Sequence, residues 1–296
     1  MKHAISVTIN TLNEERNIRN CLECVKWADE IVIVDMHSDD RTVEIAGEYT
    51  DRIFMHERLD FADPARQFAL DQASNEWVLS VDADELVPVA LCRKLLEVAD
   101  SDSYDAAIVC LRNIVFGREV QGLGWGSLQC RLPRFYRKSV MTYCDRIHGF
   151  AQLDPSARTV TLMNPAWTLL HLSYIDAEHF LEKLNRYTTI EARQAHGRGE
   201  RVSVRRLFVS ALREFAWRYV RRKGYKDGFS GLALAGLMTS YRLTAALKLH
   251  LLNEYKPSNP RDEILLVREA LARQTVEGYS QPVSALPENR GVQHAP

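Results

Sequence analysis

The strongest constraint on the fold is a set of short apolar, β-branched segments that alternate with helical patterns in the first hundred residues. Three of these segments are Ala4–Asn10, Glu30–Asp35 and Glu76–Asp82, and helical periodicity lies between them. Strands that are apolar at nearly every position are covered on both faces, which is typical of parallel sheets built from β-α-β units. This part of the chain is therefore predicted to be an α/β domain with a mainly parallel sheet.

Polar, acid-rich loops follow three of the predicted strands. The loops are Thr11–Glu15 (TLNEE), Asp35–Thr42 (DMHSDDRT) and Asp82–Glu85 (DADE). Because ligands of such folds bind at the carboxyl ends of parallel strands, we expect the three loops to form one site. Carboxylates as close as Asp82 and Asp84 repel each other unless a cation lies between them, although acidic residues also suit the start of the following helix.

In chain order, these loops resemble those of the family 2 glycosyltransferases, which have the nucleotide-diphospho-sugar transferase (GT-A) fold. The segments FGR (116–118), GWG (124–126) and RLPRFYR (131–137) resemble the acceptor side of that family. Residues 185–192 and 215–235 resemble the subgroup of lipopolysaccharide-core β-glucosyltransferases. The resemblance implies inverting, metal-dependent transfer from a nucleotide-diphosphate sugar, most simply a UDP-sugar, to a lipid-linked or cell-envelope glycan acceptor.

The resemblance also implies roles for individual residues. Asp35 would hold the uracil edge, Asp82 the ribose or diphosphate, and Asp84 the Mg²⁺ or Mn²⁺ ion. A divalent cation neutralises the charge that develops on the departing diphosphate. His171, at the end of a predicted strand, is either a second ligand of the metal or a structural residue. The other residues assigned to the nucleotide sugar are Thr11, Asn13, Glu14, Ser38, Asp40, Arg66 and Ala83.

The general base for the attacking hydroxyl is less clear from the sequence. Relatives often carry a His-Glu pair a dozen residues after the RLxR segment, whereas here Gly149 follows His148. Asp145, His148 and Asp154 are the nearby candidates, and an inactive or altered enzyme stays open. The residues assigned to the acceptor side are Trp125, Arg131 and Arg134.

Charge is distributed unevenly along the chain. Residues 1–100 carry 21 acidic and 10 basic side chains, whereas residues 186–226 carry 3 acidic and 12 basic ones. Within the basic region, Leu207, Ala211, Phe215 and Tyr219 form one apolar stripe at helical spacing. We interpret the region as a helix that docks on an anionic membrane, and a helix packed on the catalytic domain is the alternative. No fold signature for nucleic-acid binding is present. The residues assigned to the membrane are Arg213, Trp217, Tyr219, Arg221, Arg222 and Lys223.

The predicted organisation is a catalytic domain followed by a helical region. The domain covers residues 1–175, with a nucleotide-sugar half (1–100) and an acceptor half (101–175). The helical region covers 176–278, and residues 279–296 are predicted to be disordered. No secretory signal opens the chain, and no apolar stretch reaches the ~20 residues that span a bilayer. We therefore expect a cytoplasmic protein, bound peripherally to the inner face of the plasma membrane.

Two other functions remain open at the level of the sequence. Polyprenyl-phosphate sugar transferases share the first three loops, but they usually add spanning helices. A non-catalytic nucleotide-sugar-binding scaffold at the membrane would carry the same loops without turnover. Hydrolysis of a donor in the presence of Mn²⁺ separates an enzyme from such a scaffold.

Overall fold

The computed structural model describes residues 3–58, 63–143, 151–255 and 260–277. The strands in these residues are β1 (Ile5–Thr11), β2 (Glu30–Asp35), β3 (Ile53–Met55), β4 (Trp77–Asp82), β5 (Glu85–Leu86), β6 (Ala106–Val115), β7 (Arg118–Glu119), β8 (Arg131–Arg137), β9 (Met141–Thr142), β10 (Gln152–Leu153), β11 (Thr159–Leu162) and β12 (Thr168–Tyr174). The helices are α1 (Ile18–Val25), α2 (Thr42–Ala46), α3 (Asp63–Gln72), α4 (Val89–Asp100), α5 (Ala177–Gly197), α6 (Val204–Ala216), α7 (Gly228–Glu254) and α8 (Pro260–Glu277).

The main sheet has the strand order β3-β2-β1-β4-β8-β6-β12-β5. Strands β1 to β4 run parallel to one another, as do β6 and β12. The α/β prediction with a mainly parallel sheet is confirmed. All seven residues of β1 are buried, as expected for a strand covered on both faces. The carboxyl ends of β1, β2 and β4 lie at the same edge, which we call the ligand edge.

Strand β8 is the main exception to the parallel pattern. It runs antiparallel to both β4 and β6 and lies between them. Its first residues therefore lie toward the ligand edge, whereas Arg137 pairs with Trp77 at the opposite edge. The Trp77 and Phe135 rings stack with their centroids 4.6 Å apart, which anchors β8 in the core.

The residue pattern after the first strand predicts a helix from about Asn13, but α1 begins at Ile18, so the first loop is longer. Asn13 adopts a left-handed backbone conformation with φ of 57°, which an α-helix does not permit. The backbone N–H groups of Asn17 and Ile18 both donate to the carbonyl of Glu14. The TLNEE segment is thus a loop at the ligand edge.

The C-terminal helices pack on the acceptor half through a second apolar cluster. The cluster joins Val115 and Leu123 to Phe180 of α5 and to Leu234 of α7. Helix α7 also packs along α5 and α6. The apolar stripe in the basic region predicts a helix over residues 203–223, whereas α6 ends at Ala216 and continues as a single π-helical turn over Trp217–Arg221. No helix in the described ranges is both long and apolar enough to cross a bilayer.

Candidate active site

Three predicted loops meet at the ligand edge because their strands are in register. Thr11 lies opposite Asp35 on β2, and Asn10 lies opposite Asp82 on β4. The chain thus brings the TLNEE, DMHSDDRT and DADE segments together. Each polar side chain stands at the end of a buried strand, which fixes its position relative to the others.

Asp35 is fully buried beneath the second loop. Its Oδ2 accepts hydrogen bonds from Thr11 Oγ1 (2.8 Å) and Ser38 Oγ (2.6 Å), and its Oδ1 accepts one from Ser38 N (2.8 Å). A carboxylate oxygen accepts about two bonds, so Oδ1 has room for a further donor. Direct contact between Asp35 and a base nevertheless requires Ser38 to move, because the side chain has 0% exposure.

The first two loops are tied to each other by hydrogen bonds. Asn13 N donates to Ser38 Oγ (2.8 Å), and Asn13 Oδ1 accepts from Asp39 N (2.8 Å). Asp40 accepts from Glu15 N (3.0 Å), while Thr42 Oγ1 accepts from Glu14 N (2.7 Å). Asn13, Ser38 and Asp40, all assigned to the nucleotide sugar, therefore hold the first loop against the second.

Asp82 is held by two arginines. Arg66 Nη2 donates to its Oδ1 (2.6 Å), and Arg134 Nη2 donates to its Oδ2 (2.9 Å). Burial alone would raise the pKa of Asp82, but the charges of Arg134 and Arg66 outweigh it and hold the pKa well below its usual value. Asp82 is therefore ionised and fixed in orientation. The neighbouring Ala83 side chain points into the apolar core, so it presents no side chain to a nucleotide sugar.

The assignment of Arg134 to the acceptor side needs correction. The sequence pattern places it with Arg131, whereas the antiparallel strand β8 buries it beneath Asp82 at 5% exposure. Its Nη2 also donates to Glu85 Oε1 (2.6 Å). Glu85 is fully buried, and burial raises its pKa despite the opposing charge of Arg134. Arg134 is thus a positioning residue for Asp82, while Arg131 is exposed at the start of β8.

Asp84 and His171, the two residues assigned to a metal, lie side by side. Asp84 Oδ2 is 3.5 Å from His171 Nε2 and 3.9 Å from Lys183 Nζ of α5. His171 Nδ1 is 2.7 Å from Asn113 Oδ1 on the neighbouring strand β6, which sets the orientation of the ring. Burial lowers the pKa of His171, but the hydrogen bond and charge of Asp84 outweigh it, so the pKa lies above its usual value.

Glu14 completes an acidic cluster with Asp82 and Asp84. Its pKa is raised to about 7 by burial and by the charges of Asp84 and Asp82, although Asn17 and Lys183 act in the opposite direction. Its Oε2 accepts a hydrogen bond from Asn17 Nδ2 (2.8 Å). A carboxyl with this pKa marks a place where negative charge is incompletely balanced.

The donor set fits Mg²⁺ or Mn²⁺ as an ion shared with a substrate rather than one fully enclosed by protein. In the described part of the chain, no three acidic, histidine or cysteine side chains converge closely enough to form a complete site. Magnesium, however, is usually held by one or two carboxylates, with phosphate oxygens and water as its other ligands. Asp84, with His171 beside it, offers this kind of partial coordination.

Trp125 lies in a glycine-rich loop that the C-terminal helices hold in place. The carboxylate of Asp227 accepts hydrogen bonds from the backbone N–H groups of Gln121 (2.7 Å) and Gly122 (2.9 Å). A Cβ at Gly122 would lie 2.4 Å from the carbonyl oxygen of Lys223, so only glycine permits this approach. Asn113, the partner of His171, donates through Nδ2 to the carbonyl of Trp125 (2.6 Å).

One candidate for the general base is excluded by its position. Asp154 accepts hydrogen bonds from the backbone N–H and the hydroxyl of Ser156, while its own N–H donates to the carbonyl of Val140. Val140 follows the end of β8 at the edge opposite the ligand edge, so Asp154 is a turn residue away from the acidic cluster. Asp145 and His148 lie outside the described residues.

The residues assigned to the membrane separate into exposed and packed groups. Tyr219 is half-buried and stacks on Phe215 with ring centroids 5.5 Å apart, and Ala211 is buried. The predicted stripe is therefore the packing face of α6, and its assignment to the membrane is corrected. The adjacent stripe faces solvent, with Phe208 73% and Leu212 63% exposed. The other assigned residues are exposed, namely Arg213, Trp217, Arg221, Arg222 and Lys223.

Sequence reasoning missed several residues that complete the site. Glu85 follows the DAD motif directly. Nothing in the sequence indicates that Arg134 is its buried partner. Lys183 and Asn113 reach the site from α5 and β6, and only the tertiary fold brings them there. Asp227 lies 105 residues from the loop that it holds.

Two comparisons decide the family. Residues 6–151 match the family model described as Glycosyl transferase family 2. The chain is 29% identical over 262 residues to the lipopolysaccharide core biosynthesis glycosyltransferase LpsC of Rhizobium meliloti, covering 84% of this chain and 93% of LpsC. Residues 6–151 are thus a glycosyltransferase family 2 domain. The expected GT-A fold and glycosyltransferase class are thereby confirmed.

This glycosyltransferase is also similar to solved structures. Against S. aureus TarS in complex with UDP, the TM-score is 0.45 at 16% identity, covering 85% of this chain and 90% of that chain. Against the Mycobacterium tuberculosis glucosyl-3-phosphoglycerate synthase with Mn²⁺, UDP and glucosyl-3-phosphoglycerate, the TM-score is 0.31 at 20% identity, covering 36% and 43% of the two chains. At these scores, neither structure assigns a role to a residue of the site.

Proposed function

We propose that this family 2 glycosyltransferase moves a sugar, with inversion, from a UDP-sugar to a cell-envelope glycan acceptor in a divalent-metal-dependent reaction. The observation that carries the proposal is the convergence of Asp35, Asp82 and Asp84 at the ligand edge. Asp82 is ionised and oriented by two arginines, while Asp84 has a histidine beside it. Such an arrangement suits a ligand that combines a base with a diphosphate.

In the proposal, each part of the donor meets a different group of residues. Asp35, Thr11 and the second loop form the base pocket, in which Asp35 Oδ1 accepts the uracil N3–H once Ser38 has moved. Asp82 contacts the ribose or diphosphate side, and its orientation depends on Arg66 and Arg134. Because both arginines hold the Asp82 carboxylate in place before the donor binds, little side-chain entropy is lost when the donor binds.

Asp84 and His171 would hold Mg²⁺ or Mn²⁺ together with diphosphate oxygens of the donor. Such an ion neutralises negative charge on a leaving group. The Lys183 ammonium, 3.9 Å from Asp84 Oδ2, supplies a fixed positive charge at the same place. Preorganised charge of this kind stabilises a departing diphosphate without reorganisation during the reaction. The base that deprotonates the acceptor stays a sequence prediction, with Asp145 or His148 as the candidates.

The acceptor is proposed to be part of a membrane-associated glycan. The name of LpsC supports an envelope glycan, and the surface of α6 supports proximity to a membrane. Phe208 and Leu212 are exposed beside basic residues, including Arg205 and Arg213. Apolar side chains bordered by arginines are typical of a helix lying in the interface of an anionic bilayer. The proposed location is the inner face of the plasma membrane.

A thermal-shift panel tests the proposed donor class. UDP, GDP, CMP and dTDP are compared at equal concentration with and without Mn²⁺. A ligand present at about 100 times its Kd stabilises the folded state by about 2.7 kcal/mol, so a specific nucleotide stands out. We expect UDP with Mn²⁺ to give the largest shift. A larger shift with another nucleotide would contradict the UDP assignment, and no shift with any of them would contradict the proposed function.

A further inference from the structure

A cavity of about 480 Å³ lies between the acceptor half and the C-terminal helices, and its lining includes Trp125 of the predicted acceptor side. Trp125, Tyr174 and Phe180 form one side of it, while α5 and α7 contribute Glu191 and Arg242. Pockets of 300–1,000 Å³ are the usual size for small-molecule sites. The cavity is therefore large enough for a sugar unit.

Its walls differ in chemistry. The aromatic wall holds Tyr174 against Phe180, with ring centroids 4.6 Å apart, and Trp125 stands 6.3 Å from Tyr174. The polar wall holds Glu191, whose Oε2 accepts a hydrogen bond from Tyr241 OH (2.7 Å) and whose Oε1 is 3.7 Å from Arg242 Nη1. One face thus offers apolar ring surface, and the other offers fixed donors and acceptors.

The cavity is connected to the proposed donor site by direct contacts. Tyr174 lies on β12 three residues after His171, and the Lys183 Nζ that approaches Asp84 also lies 5.4 Å from the Tyr174 ring centroid. Asn113 contacts both the proposed donor site and the cavity lining, since its Oδ1 contacts His171 and its Nδ2 donates to the carbonyl of Trp125. Asn113 and Lys183 thus link the lining of the cavity to the proposed donor site.

We infer that this cavity binds an uncharged, hydroxyl-rich sugar unit of the acceptor, an inference that rests on the proposed function. A sugar ring presents apolar C–H groups on its faces and hydroxyl groups around its rim, which matches a lining that combines aromatic rings with polar side chains. An acyl chain would shield Glu191 and Arg242 further from water and offer them no hydrogen bond in return, which is unfavourable.

Charge complementarity also disfavours an anion. Arg218 donates to Glu214 Oε1 (2.6 Å), and Arg242 lies 3.6 Å from Glu214 Oε2 as well as near Glu191. Each arginine of the wall thus already has a carboxylate beside it. The wall can exchange hydrogen bonds with hydroxyl groups, which both donate and accept, more readily than it can hold a phosphate.

The test is saturation-transfer difference NMR on the full chain, with methyl glycosides of glucose, galactose, mannose and N-acetylglucosamine as probes. Decanoate and methyl phosphate are the competing probes, since both carry protons that the experiment can detect. We expect saturation of the ring protons of at least one glycoside. The variant Glu191→Gln should weaken the binding of that glycoside about tenfold, because a hydrogen bond to a charged acceptor is replaced by a hydrogen bond to a neutral acceptor.

A second variant, Met238→Trp, fills the cavity without removing a polar group. It should abolish the glycoside signal, whereas the matched control Met163→Trp, at an exposed position outside the cavity, should keep it. Glycoside binding that survives Met238→Trp, or binding of decanoate or methyl phosphate alone, would overturn the inference.

Calorimetric titration of UDP with Mn²⁺ on the same samples separates the two proposals. If UDP binds the wild type and Met238→Trp alike while no glycoside binds, the cavity assignment is wrong and the donor site stands. If UDP does not bind the wild type, the proposed function itself fails.

Discussion

The buried pairing of Arg134 with Glu85 and Asp82 gives a prediction whose size follows from the structure. In Arg134→Met, Asp82 keeps Arg66, but the fully buried Glu85 loses the cation 2.6 Å away. Removing one partner of a buried ion pair costs about 3–5 kcal/mol. Glu85 can relieve part of this by taking up a proton, so we expect a loss near 3 kcal/mol at pH 7.5.

The pH dependence of the loss has a definite sign. Burial already raises the pKa of Glu85, and without Arg134 that pKa rises further. In the unfolded chain, the pKa of Glu85 is about 4.3. At pH values above this, Glu85 is still protonated in the folded variant but ionised in the unfolded chain, so the free energy of unfolding falls as the pH increases. The loss in Arg134→Met should therefore be smaller at pH 5.5 than at pH 8.

Urea titrations of four proteins measure the effect: wild type, Arg134→Met, Glu85→Leu and the double variant. Because the double variant leaves no buried Glu85 charge, it should regain about 2 kcal/mol relative to Arg134→Met. The KM for the UDP-sugar should rise in Arg134→Met, since Asp82 loses one of its two orienting cations. An unfolding free energy for Arg134→Met within about 1 kcal/mol of wild type would refute this reasoning.

Three further predictions concern the site and the surface. Asp35→Ala should weaken UDP binding by about 1.5–3 kcal/mol, the value of a hydrogen bond to a charged acceptor, and unchanged affinity by calorimetry would remove Asp35 from the base pocket. Lys183→Met should raise the KM for the UDP-sugar and lower kcat. Lys183→Arg keeps the positive charge and should retain more activity. Equal kinetics for the two variants would argue against a role for the charge. Phe208→Ser with Leu212→Ser should reduce cosedimentation with anionic liposomes at low salt, and a wild type that stays in the supernatant would disprove membrane docking.

The fold of residues 1–100 was predictable because each strand and the polar loop after it can be recognised from a short stretch of sequence. Strands buried on both faces are apolar at almost every position, so β1, β2 and β4 and the polar loops after them can be read directly. Their common edge follows from parallel pairing. The start of α1 was not predictable, because TLNEE is compatible with a helix and only the hydrogen bonds to the second loop hold Asn13 in a left-handed conformation.

The errors concern residues whose environment depends on distant segments. Arg134 looks like a surface residue within RLPRFYR, and the antiparallel insertion of β8 beside β4 is what buries it. In α6, two apolar stripes repeat every four residues, one through Phe215 and the other through Phe208. Periodicity cannot tell which of them faces α7. Lys183 likewise gains its position from the packing of α5 beside β12.

The most direct test of the central claim is the release of UDP from a UDP-sugar by the purified protein, with and without Mn²⁺. Asp84→Ala is the decisive variant, because it removes a buried carboxylate whose charge repels those of Glu14 and Asp82. We expect slow UDP release by the wild type with Mn²⁺, and loss of release in Asp84→Ala at an unchanged or higher melting temperature. Wild-type release by Asp84→Ala would contradict the account of the site.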